Sequence, residues 1–170
     1  MTTLWYAVRS KPNKEDFLAR QLEAQGIKIY YPCIHTIPVN PRARKFKPYF
    51  PGYLFVYVDL KLVNVSTLQW TPGAANLITF GGEPAFVPDV LIAALQKRVT
   101  EINTSNKSTI NDLNPGDFVV IKDGPFAGYE AIFDGIVSGQ ERVRVLLRFL
   151  QNRRVSVELQ GSQIGHVKHS

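Results

Sequence analysis

Cysteine is almost missing from this sequence. One thiol, Cys33, stands alone in 170 residues. That rules out an intrachain disulfide framework and any CxxC metal pattern. Histidine is nearly as scarce. His35, His166 and His169 lie at no metal-ligand spacing with a thiol or carboxylate, so no zinc or other metal site is expected. Long apolar runs are missing too. Nothing approaches the roughly 20 residues that span a bilayer, and Met1-Thr2-Thr3-Leu4-Trp5 lacks the basic and apolar regions of a signal peptide. A cytoplasmic protein with no membrane contact is expected. The acidic residues Asp112, Asp117, Asp123, Glu130 and Asp134 are scattered. There is no nucleophile elbow, no phosphate-binding loop and no paired carboxylate, so neither enzyme chemistry nor a cofactor is expected. With 20 Lys and Arg against 14 Asp and Glu, the formal net charge is +6. That is a mild bias toward anionic partners, equally compatible with an ordinary basic soluble protein.

What is present organises itself into two parts. Hydrophobic residues make up 45% of the chain, as in a globular protein. Leu4 to Val8 reads as an aromatic-rich strand. Asn13 is a candidate N-cap, with Glu15 and Asp16 in a first helical turn. Phe17, Leu18 and Leu22 form an apolar stripe, and Gly26 is a stop. Ile27 to Tyr31 is a second strand, closed by Pro32. Pro38 to Pro48 is polar and basic, an exposed loop or hairpin. Tyr53 to Val58 is a strong strand whose unbroken apolar run implies cover on both faces. Leu60 to Trp70 is ambiguous. Asn76 to Phe80 is a strand, and Pro88-Asp89 opens a helix with Val90, Leu91, Leu95 and Val99 along one stripe.

Thr100 to Asn111 has linker composition. Beyond it the residues favour strands: Phe118 to Ile121, Tyr129 to Val137, Arg142 to Phe149 with alternating Arg and Val, and Val155 to Leu159. Short strands and tight turns in so small a segment suggest a closed barrel. The organisation expected is 1–100, an α+β domain; 101–112, a flexible linker; 113–170, an all-β barrel.

Gly116-Asp117-Phe118-Val119-Val120-Ile121-Lys122-Asp123-Gly124-Pro125-Phe126-Ala127-Gly128-Tyr129 resembles a KOW motif. Trp5-Tyr6-Ala7-Val8, Tyr30-Tyr31-Pro32 and Phe50-Pro51-Gly52-Tyr53-Leu54-Phe55-Val56 resemble the N-terminal (NGN) domain of NusG-type transcription factors. Together they cover the chain in order. The resemblance implies a four-stranded antiparallel sheet flanked by helices, followed by a KOW, SH3-like barrel. It also implies a monomeric, non-enzymatic elongation factor that suppresses pausing and termination. Asn76 to Pro88 and Tyr129 to Phe133 look closer to RfaH-type specialised paralogues. Asn64-Val65-Ser66-Thr67 departs from the RfaH motif that touches the polymerase β subunit, and Thr71-Pro72 departs from its DNA-contacting pair.

By resemblance, Tyr53, Phe55, Trp5 and Tyr6 are candidates for an apolar depression that receives the β′ clamp helices of RNA polymerase. As strand aromatics alone they read as core. Lys11, Arg20, Arg42, Arg44, Lys45 and Lys47 are candidates for phosphates of non-template or upstream DNA, against the plain reading of solvated charge. Phe149 and Leu150 stand where the family's barrel meets Rho or a small-subunit ribosomal protein, or else are barrel core. A different class of protein, a ribosome-associated RNA-binding KOW protein, has no use for the N-terminal aromatic segments. RfaH can hold its C-terminal region as a helical hairpin over the polymerase site. Here the β-branched residues favour a barrel at rest, and Val145 to Arg154 is the one segment with helical capacity.

Overall fold

The strand Leu4–Ser10 (β1) pairs antiparallel with Tyr53–Val58 (β5), Leu4 opposite Val58 and Arg9 opposite Tyr53. Both are dense in aromatic and β-branched residues, which suit a pleated sheet covered on its two sides. The computed structural model describes residues 3–35, 46–104 and 138–158. In it, β5 also pairs with Lys28–Tyr30 (β2), and β1 with Ala74–Leu77 (β6), giving the order β2-β5-β1-β6. Cys33–His35 (β3) and Phe46–Pro48 (β4) form a hairpin. Thr79–Phe80 (β7) and Glu83–Pro84 (β8) form another around Gly81-Gly82, and Phe86–Val87 (β9) returns to β1. The four-stranded antiparallel sheet is as expected, with β9 added alongside β1.

Alternation along the strands divides the core in two. Tyr6, Val8, Leu54, Val56 and Val58 pack beneath the helix Glu15–Ala24 (α1) and the short helix Val65–Gln69 (α2). α1 ends in a Schellman closure: Gly26, at φ +80°, donates to Glu23 O, and Ile27 donates to Leu22 O. At its start Asn13 is not the N-cap. It occupies the left-handed region at φ +59°, which Asn tolerates, and Lys14 takes the cap position.

Trp5, Ala7, Tyr53 and Phe55 face the other way. They join Tyr49, Phe50 and the buried stripe Leu91, Ile92, Leu95, Val99 and Ile102 of the helix Asp89–Thr104 (α3). Ile102 is buried, so α3 runs past the boundary expected near residue 100 and takes in the first residues of the expected linker. The KOW motif, the rest of that linker and the strands expected at 118–121 and 129–137 lie outside the described residues.

The largest difference from expectation is Gly139–Glu158. It is a 20-residue helix (α4), not a pair of barrel strands. Among its residues up to Gln151, the buried ones are Arg142, Leu146 and Leu150, one every fourth position, with Arg144 and Arg148 outward. Ser138 caps it, its Oγ accepting from Glu141 N at 3.2 Å. Glu141 also pairs with Arg144 one turn on. Leu, Arg, Gln and Glu propagate a helix well. Burial of the 142-146-150 stripe against the domain then outweighs the strand preference of Val143 and Val145.

Candidate functional site

The α3 face of the sheet carries Tyr53 and Phe55, for which the resemblance implies a docking surface, and residues of α4 pack into the same cluster. Tyr53 and Phe55 emerge on this face because the turn before them is fixed. Gly52, at φ +86°, donates its N–H to buried Glu15 Oε2 at 2.9 Å and accepts from Ser10 N at 2.8 Å. Phe50 and Phe55 meet edge to face at 5.8 Å, as do Tyr49 and Phe50 at 5.0 Å. Trp5 leans on Tyr57, and Lys28 sits 5.2 Å over the Tyr57 ring.

Leu146 and Leu150 of α4 belong to this same buried cluster, with Val143, Val145, Leu147 and Phe149 packed at its edge. Arg142 is the polar fastening. It is 3% exposed, its Nε donates to Tyr49 O at 2.8 Å, and its guanidinium lies 4.2 Å over the Tyr49 ring. Burial lowers its pKa, partly opposed by Tyr49, yet a guanidinium remains charged. Planar stacking and a directed N–H suit this site to arginine rather than lysine. Gly139 makes the approach close enough: a Cβ there would meet Pro51 Cγ at 2.7 Å. Burial also raises the Tyr30 pKa, with Tyr49 and Cys33 adding to it. The Tyr30 hydroxyl has no hydrogen-bond partner among the described residues.

The structure therefore gathers Trp5, Tyr53 and Phe55 on one face. Tyr6 it places on the opposite face, in the α1 core, because neighbouring strand residues alternate. Tyr53, at 9%, and Phe55, at 0%, are covered rather than exposed, in a cluster that residues of both α3 and α4 share. Leu150 is buried in that contact and Phe149 half-buried beside it, so neither lies in a barrel strand. Arg142 was not among the sequence candidates. Its signals were its place at the head of the 142-146-150 stripe and the Ser138-x-x-Glu141 capping pattern before it. Lys11 and Arg20 are exposed on the α1 side, and Lys47 on β4. Arg42, Arg44 and Lys45 lie outside the described residues. Among the described residues no cluster of His, Cys, Asp or Glu could hold a metal ion, and no helix is long and apolar enough to cross a membrane.

These features define a mixed α/β protein whose aromatic sheet face is closed by a helix from the far end of its own chain. Comparison with known proteins supplies the family. Residues 3–96 match the family model "Transcription termination factor nusG", and the chain belongs to the NusG family. It is 24% identical to the "Transcription termination/antitermination protein NusG" of Deinococcus radiodurans over 96% of this chain and 99% of that one. With the protein of the same description from Pseudomonas aeruginosa it shares 26%, over 98% and 100%. A solved structure, "Domain interaction in Thermotoga maritima NusG", aligns with 74% of this chain and 76% of its own at 22% identity and a TM-score of 0.40. Members of this family are transcription factors rather than enzymes, and transcription is the setting in which this chain acts.

Proposed function

We propose that this protein is a transcription elongation and antitermination factor whose polymerase-binding face is masked by α4 at rest. The carrying observation is that Leu146 and Leu150 are buried in one cluster with Tyr49, Phe50, Tyr53 and Phe55, and that Arg142 bonds Tyr49. The clamp helices of the polymerase β′ subunit would take the same surface. An amphipathic partner helix and α4 need the same thing there, an apolar face with aromatic anchors. Exposed Lys11, Arg20 and Lys47, with Arg42, Arg44 and Lys45, would neutralise phosphates of DNA around the bubble.

The strand-favouring pattern of residues 113–170 then belongs to a second state. Once α4 leaves, the segment is free to close as a KOW barrel and recruit a small-subunit ribosomal protein or Rho. Two packings of one sequence interconvert when they differ by only a few kcal/mol. If docking of α4 is worth about 3 kcal/mol, the face is open about one part in 150, and apparent polymerase affinity falls by that factor. The ribosome-associated reading leaves the matched residues 3–96 without a role.

Leu146→Asp puts a carboxylate into the fully buried α4 contact. The intact variant should capture core RNA polymerase about a hundredfold more tightly than the natural chain. Amide shifts over 139–158 should also leave the helical range. Equal capture by the two proteins would refute masking.

A further inference from the structure

Leu146 and Leu150 hold α4 to the core cluster, yet they do not say where along the sheet it must stop. Apolar burial is non-directional. α4 also carries Val143, Val145, Leu147 and Phe149, packed at the edge of the same cluster. A helix so rich in apolar side chains has more than one way to lie on an aromatic surface. Something else must choose among them, and the head of α4 supplies it.

Two contacts there fall on one short stretch of the domain. Arg142 Nε donates to Tyr49 O at 2.8 Å, and Gly139 lies against the Pro51 ring. A Cβ at 139 would stand 2.7 Å from Pro51 Cγ and 2.8 Å from Pro51 Cδ, well inside carbon–carbon contact distance. Its next neighbour, the Arg142 guanidinium, would be at an ordinary 3.7 Å, so the conflict is with Pro51. Neither partner is free to step aside. The pyrrolidine is closed on its own backbone and cannot rotate away as a long side chain does. Its turn is bonded on several sides: Gly52 N donates to Glu15 Oε2 at 2.9 Å, Ser10 N to Gly52 O at 2.8 Å and Tyr53 N to Phe50 O at 3.0 Å. Across the contact, Arg142 N donates to Ser138 O at 3.0 Å, so the first turn of α4 closes around Gly139. With Arg142 seated on Tyr49, position 139 is held at the ring.

We propose that Gly139 is the specificity-determining residue of the closed state. Pro51 is a stop against which only a residue without a side chain fits, and it fixes the register in which α4 lies on the sheet. One methyl group at position 139 therefore decides whether the aromatic face is covered. The proposal rests on the masking reading and names the residue pair that regulates it.

The test is Gly139→Ala in the full chain, read by capture of core RNA polymerase and by hydrogen exchange over 139–158. Alanine is the better helix former, so a weaker helix cannot explain an opening. Overpacking at this contact should raise capture about tenfold and speed exchange across α4, with the denaturation midpoint of the domain unchanged. Pro51→Ala removes Cγ and Cδ. Added to Gly139→Ala, it should return exchange over 139–158 to within about twofold of the natural chain's, and by itself it should leave α4 closed. Leu146→Asp is the reference for an open face. If it raises capture and Gly139→Ala does not, the stop is refuted and masking stands. If neither raises capture, masking falls and the stop with it. Failure of Pro51→Ala to reclose the Gly139→Ala chain overturns the pairing of these two residues. Opening by Pro51→Ala alone would show that the ring holds α4 rather than limits it, and overturns the proposal as well.

Discussion

The two faces of the central sheet are covered in different ways. Tyr6, Val8, Leu54 and Val56 lie under α1 and α2, which sit close in sequence to the strands they cover. Trp5, Ala7, Tyr53 and Phe55 lie under α3 and under α4, whose Arg142 reaches Tyr49 across 93 positions. The first cover is short-range and wholly inside the domain. The second includes a helix joined through a long intervening segment, held by two leucines, a cation over a ring and a glycine contact. Equal burial therefore does not imply equal permanence. A face closed by a distant element can open without unfolding the sheet, because local stability follows the contacts of each unit.

The sharpest break in that comparison is between two fully buried leucines, Leu54 on β5 and Leu146 on α4. Leu54→Ala should cost about 2–5 kcal/mol of global stability, read as a lower denaturant midpoint of the whole domain. Leu146→Ala should leave the domain's midpoint nearly unchanged and instead speed hydrogen exchange over 139–158. If Leu146→Ala lowers the midpoint as much as Leu54→Ala, α4 is a permanent part of the core and the distinction between faces is lost.

Arg142→Lys is a smaller change. It keeps the charge but loses the Nε donor to Tyr49 O and the planar stack. Docking of α4 should weaken by about 1–2 kcal/mol, visible as a several-fold rise in polymerase capture without loss of fold. Full retention of masking would mean that the leucines alone hold the helix.

The smallest expected effect is alkaline, and Tyr30 on the α4 side shares it with Tyr6 and Tyr31 on the other face, whose pKa values burial also raises. Burial raises the Tyr30 pKa above its ordinary value of 10.0, and its ring stacks 6.2 Å from Phe55. Above about pH 10 the unfolded chain loses this proton while the folded one keeps it. Stability then falls as pH rises, by at most about 1.4 kcal/mol per pH unit for one group, and less for a half-buried one. Below pH 10 the contribution is fully present. Denaturation followed from pH 9 to 11 should show this slope, and Tyr30→Phe should lessen it by the share of one group. An unchanged slope in the variant would place the effect elsewhere.

Much of this was legible beforehand. β1, β5, α1 and α3 follow from alternation, helical stripes and stop signals that local chemistry enforces. The unbroken run Tyr53 to Val58 announced cover on both faces. What covers the second face was not legible, because two patterns coexist in Ser138 to Leu150. Arg142-Val143-Arg144-Val145 alternates like a strand. Arg142, Leu146 and Leu150 recur like a helix, behind a Ser138-Glu141 cap. The strand reading rested on β-branched propensity, a preference of about 1 kcal/mol across its whole scale. Tyr6 was misplaced for a simpler reason, since adjacent strand residues cannot share a face.

By itself the sequence determined the strands at Leu4 to Val8, Ile27 to Tyr31, Tyr53 to Val58 and Asn76 to Phe80 and the helices α1 and α3, because those choices rest on period and turns within a few residues. Only the tertiary structure decided the state of residues 139–158. Burying Leu146 and Leu150 in the core cluster and the Arg142 guanidinium on Tyr49 is a long-range contact, and it outweighs a local preference that nearly balances between strand and helix.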